Sequence, residues 1–251
     1  MNSIRKTIIT THHKVTKLIG TNDFYIALLA GCIMIGLVIA IGLINNHVIA
    51  LYPNAHFHYT AEPNNPLKLL SNWDGPDYLR IAKYNYRSLF DASFFPLYPA
   101  IIFFLTFIFR SPLVTALLIS WLCLIGALYF YIKILRHLGM VENASEASKA
   151  VALFLLYPSG VFLLGTYTES MFSFWSLGAL YFALKKNWRM SALLLALIGA
   201  THITGLLVIG LVWLVLVEEL VGLWRSTLAA LSGLAGLGVF AALLQSRYGN
   251  P

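Results

Sequence analysis

Seven long apolar segments, each without Asp, Glu, Lys or Arg, occupy more than half of the 251 residues of this chain. They are residues 24–45, 94–109, 112–132, 150–164, 170–184, 190–217 and 227–245. Uncharged apolar runs of about 20 residues are long enough to cross a lipid bilayer as helices. Only 11% of the residues are charged, whereas a soluble globular domain has about 25%. The pattern therefore predicts an all-α polytopic membrane protein and excludes a soluble enzyme, a disordered tail and a nucleic-acid-binding module.

The 17 Lys and Arg residues indicate how the segments cross the membrane, because basic loops are favoured on the cytoplasmic side. If residues 94–109 crossed, two basic clusters, at 133–149 and 185–189, would lie outside. If this short, aromatic and Pro-rich segment lies at the interface instead, eleven Lys and Arg fall inside and six outside. The second arrangement predicts a cytoplasmic arm at 1–23 and an outer loop at 46–110 that contains interfacial or re-entrant helices.

The same arrangement places Asp74, in the outer loop, and Glu169, at a break between two apolar segments, on one face of the membrane. The segment 190–217 is either one long tilted helix or two short helices that turn at Thr201 and His202. In the second case His202 joins the two acids.

Each of these three residues has a structural and a functional interpretation. Asp74 either caps the helix that follows it or is a carboxylate that accepts a proton from a hydroxyl or holds a divalent cation. Glu169 is either a solvated loop acid or a functional group. His202 either donates a hydrogen bond between helices or binds phosphate or moves a proton. The basic side chains of the same outer loop either form a solvated face or attract lipid phosphate; they are Arg80, Lys83 and Arg87.

Four motifs stand in an order and at a spacing that resemble a known family of membrane enzymes. They are WDGPDYLRIA at 73–82, FFPLYP at 94–99, YTES at 167–170 and ATHITG at 200–205. In these motifs the chain resembles the PIG-V mannosyltransferases, which are GPI mannosyltransferase 2 and its bacterial relatives. The final RYGNP, at 247–251, is similar to the segment that follows a helix in that family.

The resemblance implies a module of the GT-C superfamily of polytopic glycosyltransferases, with about seven transmembrane helices and an essential acid in the first outer loop. It implies transfer of a hexose, in the first place mannose, from a polyprenyl-phosphate sugar to a hydroxyl of a lipid-linked or glycan acceptor, on the outer or luminal face. We predict that this transfer inverts the anomeric carbon. Asp74 and Glu169 match the two outer-loop acids and would be catalytic residues or ligands of a divalent cation. The implied substrate-binding residues are Trp73, Asp77, Tyr78, Arg80, Tyr98, Tyr167 and His202.

The chain departs from the family pattern in two respects. His202-Ile203 stands where the family usually has Arg-Pro, so a titratable group replaces a permanent charge. The chain also stops at residue 251, where family members continue with further spans. We therefore expect residues 1–251 to form a single module that is a fragment, a split protein or a minimal unit, with a partner chain supplying the missing helices in the split case.

The sequence leaves open both the membrane that holds the protein and the class of protein. The membrane would be the plasma membrane of a prokaryote or the endoplasmic reticulum of a eukaryote. A second class of protein, a non-catalytic transporter or lipid-carrier subunit, is the alternative to an enzyme. Transporters place charged residues in broken helices near the middle of the membrane, whereas these acids are predicted at one face, which favours the enzyme.

Overall fold

The computed structural model describes residues 22–44 and 65–249, and within these ranges the chain is helical and contains no strand. The α-helices found there are α1 (Asn22–Ile44), α2 (Gly75–Tyr84), α3 (Leu97–Phe109), α4 (Pro112–His137), α5 (Ala144–Leu155), α6 (Glu169–Leu184), α7 (Trp188–Gly199), α8 (Gly205–Glu218) and α9 (Leu223–Tyr248). Short 3₁₀-helices occupy Pro66–Leu70, Leu89–Ser93 and Pro158–Leu163.

Three of the described helices, α1, α4 and α9, are long and apolar enough to cross a membrane, with 23, 26 and 26 residues. Half of the most apolar window of α4 is buried, whereas α1 and α9 leave most of theirs exposed. Apolar helical surface of this kind suits a lipid environment. The prediction of an all-α integral membrane protein is confirmed, while the number of about seven crossings stays a prediction.

Helix α3 is shorter than the apolar segment that contains it. It begins only at Leu97, after Pro96, and its 13 residues end at Phe109, before Arg110, which has a positive φ of 63°. A helix of this length spans about 20 Å, short of the roughly 30 Å of a bilayer core. The short α3 is compatible with the predicted interfacial position of residues 94–109.

Two other apolar segments are divided. In residues 150–164, expected as one span, α5 ends at Leu155 and a 3₁₀-helix follows from Pro158, because proline cannot continue an α-helical hydrogen-bond ladder. In residues 190–217, α7 ends at Gly199 and α8 begins at Gly205. Of the two alternatives for that segment, the two-helix arrangement is therefore confirmed.

Glycines allow α7 and α9 to approach closely. A Cβ atom at Gly199 would overlap the backbone carbonyl of Gly233, and one at Gly236 would overlap that of Ala196. Small residues at such crossings are a feature of helix packing in membranes. The contact fixes the end of α7, and with it the connection to α8 that carries His202.

Several polar and ionic contacts lie at the end of the helices away from Glu169. The buried Asp23 of α1 lies 2.7 Å from Nε of Arg136 at the end of α4, and Nζ of Lys185, after α6, lies 3.0 Å from Nδ1 of His137. The length of α6, about 24 Å at 1.5 Å per residue, separates these groups from Glu169. Arg136 and Lys185 therefore lie at the same end of the helices, and the membrane face of this end stays a prediction; of the predicted arm, residues 1–21 lie outside the described residues.

Candidate active site

Hydrogen bonds join the segment before α2 to the segment before α6. The backbone N–H of Thr166 donates to the carbonyl of Leu70 at 3.0 Å, and its hydroxyl donates to Oγ of Ser71 at 2.9 Å. The hydroxyl of Tyr167 donates to the carbonyl of Asn72 at 2.8 Å. A Cβ atom at Gly75 would overlap the Thr166 hydroxyl. These contacts bring the first and third sequence motifs side by side.

Asp74 lies in this joint, at the position directly before α2. Its backbone carbonyl accepts from the N–H groups of Asp77 and Tyr78 at 3.1 and 3.2 Å, but its carboxylate makes no capping hydrogen bond to the helix. The structure therefore does not support the interpretation of Asp74 as a cap. The exposed side chain lines a cleft of about 210 Å³ together with Tyr78, Phe95 and His202.

Glu169 is the first residue of α6, just before the apolar run 170–184. It lines a larger groove of about 600 Å³ whose other walls include Phe154, Tyr157 and Phe172. Burial among these groups raises the pKa of the Glu169 carboxyl, and the negative charge of Asp74 raises it further. The Glu169 carboxyl therefore takes up a proton at a higher pH than an ordinary glutamate does.

Tyr78 and Tyr167 lie near both acids. Burial raises the pKa of Tyr78 to about 12, and the carboxylates of Glu169 and Asp74 add to the shift. Burial also raises the pKa of Tyr167, with smaller contributions from the same two acids. Both phenols therefore keep their protons at neutral pH and can act as hydrogen-bond donors. The Tyr78 hydroxyl lies 3.5 Å from Oγ1 of Thr168.

His202 lies in the connection between α7 and α8 and is held in one tautomer. Its Nδ1 accepts from the backbone N–H of Thr204 at 3.2 Å and lies 2.8 Å from the Thr204 hydroxyl. Burial lowers the pKa of the ring. A neutral imidazole whose Nδ1 accepts carries its proton on Nε2. His202 therefore presents a neutral N–H donor, with its ring 5.7 Å from that of Phe172 and 6.4 Å from that of Phe95.

Tyr98, also predicted to bind substrate, is fully buried below the cleft. Its hydroxyl donates to the carbonyl of Ala116 at 3.1 Å and lies 2.8 Å from Oγ of Ser120 in α4. Its ring meets that of Tyr78 edge-on at 5.3 Å. Tyr98 thus supports Tyr78 from beneath, with its polar group directed into α4.

Asp77 and Arg80 form a separate ionic cluster with Asp91. The Nη2 atom of Arg80 lies 2.9 Å from Asp77 and 2.6 Å from the buried Asp91, which also accepts from the backbone amides of Arg87 and Ser88. Burial alone would raise the pKa of Asp91, but these donors outweigh it and hold that pKa well below its usual range. Arg80 is thereby neutralised by two carboxylates and does not line the cleft.

Trp73 marks the edge of the site nearest the larger groove. It has a positive φ of 48° and is 70% exposed, and its ring packs on that of Phe162 at 5.6 Å. Phe162 also packs against Tyr167 at 5.3 Å. The indole therefore lies beside the groove that Glu169 lines.

Sequence reasoning did not single out Phe95, Phe172, Thr204 or Asp91. Phe95 lies within a recognised motif, so the motif could have indicated it. Phe172 follows Glu169 by three residues, the spacing that puts two side chains on one helix face. The pattern Ser88-x-x-Asp91 is that of a capping box, so it could have indicated a structural role for Asp91 but not its pairing with Arg80.

The residues that could hold a divalent cation are the two acids already predicted. Within residues 22–44 and 65–249 there is no cluster of three or more His, Cys, Asp or Glu side chains that could hold a metal ion. Two carboxylates can bind Mg²⁺ when substrate phosphate and water complete its shell. Asp74 and Glu169 line two different cavities, and their role as cation ligands stays a prediction.

The helices and these groups together define a polytopic helical membrane protein with a polar centre at one end of its bundle. The family model described as Mannosyltransferase (PIG-V) matches residues 33–231, a range that includes Asp74, Glu169 and His202. Because the match covers most of the chain, the chain belongs to the PIG-V mannosyltransferase family, as its motifs predict. Membership indicates a membrane mannosyltransferase, and hence a glycosyltransferase. No curated protein and no solved structure matches the chain.

Proposed function

We propose that this protein transfers a mannosyl group from a polyprenyl-phosphate sugar to a hydroxyl of a lipid-linked or glycan acceptor, with inversion at the anomeric carbon. Transfer would occur on the outer or luminal face, in the plasma membrane of a prokaryote or the endoplasmic reticulum of a eukaryote. The observation that carries the proposal is the placement of Asp74 and His202 in one cleft, with Glu169 in the adjacent groove beside Phe172, whose ring lies 5.7 Å from that of His202.

Asp74 is the general base. Its carboxylate is exposed and is not used as a helix cap, so it is free of the bond that would compete with an incoming hydroxyl. The acceptor oxygen gives its proton to Asp74 and bonds to the anomeric carbon, while the bond from that carbon to the phosphate oxygen breaks. A positioned base of this kind typically contributes about 10²–10⁴-fold to a rate.

The departing phosphate requires stabilisation more than a proton. The neutral Nε2–H of His202 is a donor that can meet the charge developing on a phosphate oxygen, as donors in an oxyanion hole do. Burial and the charge of Asp74 raise the pKa of the Glu169 carboxyl, and whenever this carboxyl carries a proton it can donate to a phosphate oxygen. Arg80 is excluded from this role by its pairing with Asp77 and Asp91.

The groove beside Glu169 suits the lipid part of the donor. Its volume is about 600 Å³, and its lining is mostly apolar, with Leu153, Phe154 and Phe162 among the side chains. A polyprenyl chain in this groove would bring its phosphate to Glu169 and its sugar towards Asp74. If a divalent cation takes part, Asp74 and Glu169 are the residues that would hold it, and it would neutralise phosphate charge.

The proposal is tested by turnover in membranes that contain the purified chain. Polyprenyl-phosphate mannose labelled in the sugar is supplied with an extract of lipid acceptors, and labelled product is separated by chromatography. The proposal requires label in a new product with inverted linkage. Binding or movement of the labelled donor without any product would identify the alternative class, a carrier without catalysis.

A further inference from the structure

A second groove lies at the C-terminal end of α2, the end opposite Asp74. Two adjoining cavities, of about 400 and 480 Å³, share Ala82, Lys83 and Phe103 and together follow the crevice between α2 and α3. We call this crevice the α2–α3 groove. Neither Asp74, Glu169 nor His202 lines it, so it is distinct from the candidate active site.

The floor of the α2–α3 groove is aromatic and open. Phe103, Phe104 and Phe107 are 45%, 66% and 69% exposed, although they belong to an apolar helix. Phe103 packs edge-on against each of the other two rings at 5.3 Å. Exposed contiguous apolar surface of this kind marks an interaction site, and on a membrane protein it suits an acyl chain.

The rim of the groove is cationic. Lys83, Arg87 and Arg110 line the two cavities, and no Asp or Glu does so in the part of the chain that the structure describes. The Arg87 guanidinium lies 4.6 Å from the centre of the Tyr84 ring, and its Nε donates to the Tyr84 carbonyl at 3.1 Å. These contacts hold a positive charge at the edge of an apolar floor.

The location of the cations strengthens the case for an anionic ligand. Three of the six Lys and Arg predicted on the outer face line this groove, where the positive-inside rule disfavours them. Arg80 of the same loop already has two carboxylates. An anionic headgroup would offset the positive charge of Arg87 and Arg110, and each Lys or Arg near an anionic lipid surface contributes about fivefold to binding.

We propose that the α2–α3 groove binds an anionic phospholipid, with its headgroup on the cationic rim, where Arg87 lines the first cavity and Arg110 the second, and an acyl chain along Phe103, Phe104 and Phe107. This site would hold the interfacial helices α2 and α3 against the bilayer. The inference rests on the groove alone and does not depend on the proposed transfer reaction.

The test is lipid binding to the purified full chain in detergent, measured by native mass spectrometry. Phosphatidylglycerol and phosphatidylcholine with identical acyl chains are titrated separately. We expect tighter binding of phosphatidylglycerol. Arg87→Gln or Arg110→Gln should weaken it about 5-fold and the double variant about 30-fold, with phosphatidylcholine unchanged. The matched control, Lys149→Gln with Arg225→Gln, removes the same charge at the other end of the helices and should leave the preference intact.

Several results would overturn the proposal. Equal affinity for the two lipids would show that the site does not recognise the anionic headgroup. An unchanged preference for phosphatidylglycerol in the double variant would show that the lipid binds elsewhere. Displacement of the lipid by millimolar inorganic phosphate would show a phosphate site without a chain site. The thermal unfolding of each variant shows whether it is folded. If the double variant is not folded, the single variants are compared with Arg110→Lys, which keeps the positive charge.

Discussion

Thr204 fixes the tautomer of His202. The backbone N–H of Thr204 donates to Nδ1 of His202 at 3.2 Å, and the Thr204 hydroxyl lies 2.8 Å from the same atom. The imidazole therefore keeps its proton on Nε2, the nitrogen available to a ligand. In the proposed reaction this N–H faces the departing phosphate.

Loss of the Thr204 hydroxyl should lower the transfer rate by loosening His202. We expect Thr204→Val to reduce kcat by about 3- to 10-fold, the range of one modest hydrogen bond, with the fold intact. The measurement is a double-mutant cycle with His202→Ala, in which coupled residues give non-additive effects. If Thr204→Val reduced the rate as much in the His202→Ala background as in the wild type, Thr204 would not act through His202.

The pH dependence of transfer should show that His202 works as a neutral donor. Burial lowers its pKa from the usual value of about 6.5, so the neutral ring predominates at and above neutral pH. We expect no rise in the initial rate as the pH falls from 7.5 to 6, and a loss of about 10- to 10³-fold in His202→Ala. A tenfold increase over that pH interval, absent in His202→Gln, would show instead that the imidazolium is the active form.

Asp91 should be essential to the stability of the outer loop. Removing one partner of a buried ion pair typically costs about 3–5 kcal/mol, and Asp91 is buried against Arg80. Asp91→Asn should therefore unfold at a markedly lower temperature in detergent. The control is Glu218→Gln, which changes an exposed acid at the C-terminal end of α8. A melting temperature equal to that of the control would contradict this role.

The lowered pKa of Asp91 also predicts how the stability of the protein changes in acid. The folded-state pKa of Asp91 lies below its unfolded value, so its stabilising contribution is complete above the usual Asp range. It is lost as the pH falls from about 4 towards the folded-state pKa. In acid unfolding, wild type should lose more stability over this interval than Asp91→Asn, and parallel curves would contradict the assignment.

The approach of α7 to α9 predicts a position-specific effect of adding one methyl group. A Cβ at Gly199 meets the backbone of Gly233, which cannot move aside without shifting a helix, whereas one at Gly210 meets nothing within 4 Å. Gly199→Ala should cost about 1–3 kcal/mol of stability, while Gly210→Ala should be neutral or stabilising because alanine favours helix. Equal melting temperatures for the two variants would show that the close crossing is not required.

The helical membrane architecture was predictable because it follows from local properties, namely apolar length and charge. The motifs also indicated Asp74, Glu169 and His202, which the structure places at one end of the bundle. The break between Gly199 and Gly205 stayed open from the sequence, because an apolar run of 28 residues fits one tilted helix as well as two short ones.

The individual roles of side chains were less accessible. Arg80 has the spacing of a phosphate ligand, but Asp91, eleven residues further on, takes its guanidinium through a turn that local pattern does not encode. Tyr98 lies in an aromatic motif like Tyr78, but its hydroxyl turns to α4. Such outcomes depend on tertiary packing, which residue type and spacing do not determine.

The most direct test of the central claim is the transfer rate of Asp74→Asn in membranes, with labelled polyprenyl-phosphate mannose as donor. Glu218→Gln removes an acid far from the site and serves as the control. We predict that Asp74→Asn lowers kcat by about 10²–10⁴-fold while its melting temperature and membrane integration match those of the control, because the Asp74 carboxylate does not cap α2. Transfer by Asp74→Asn at the control rate would contradict the assignment of Asp74 as the base.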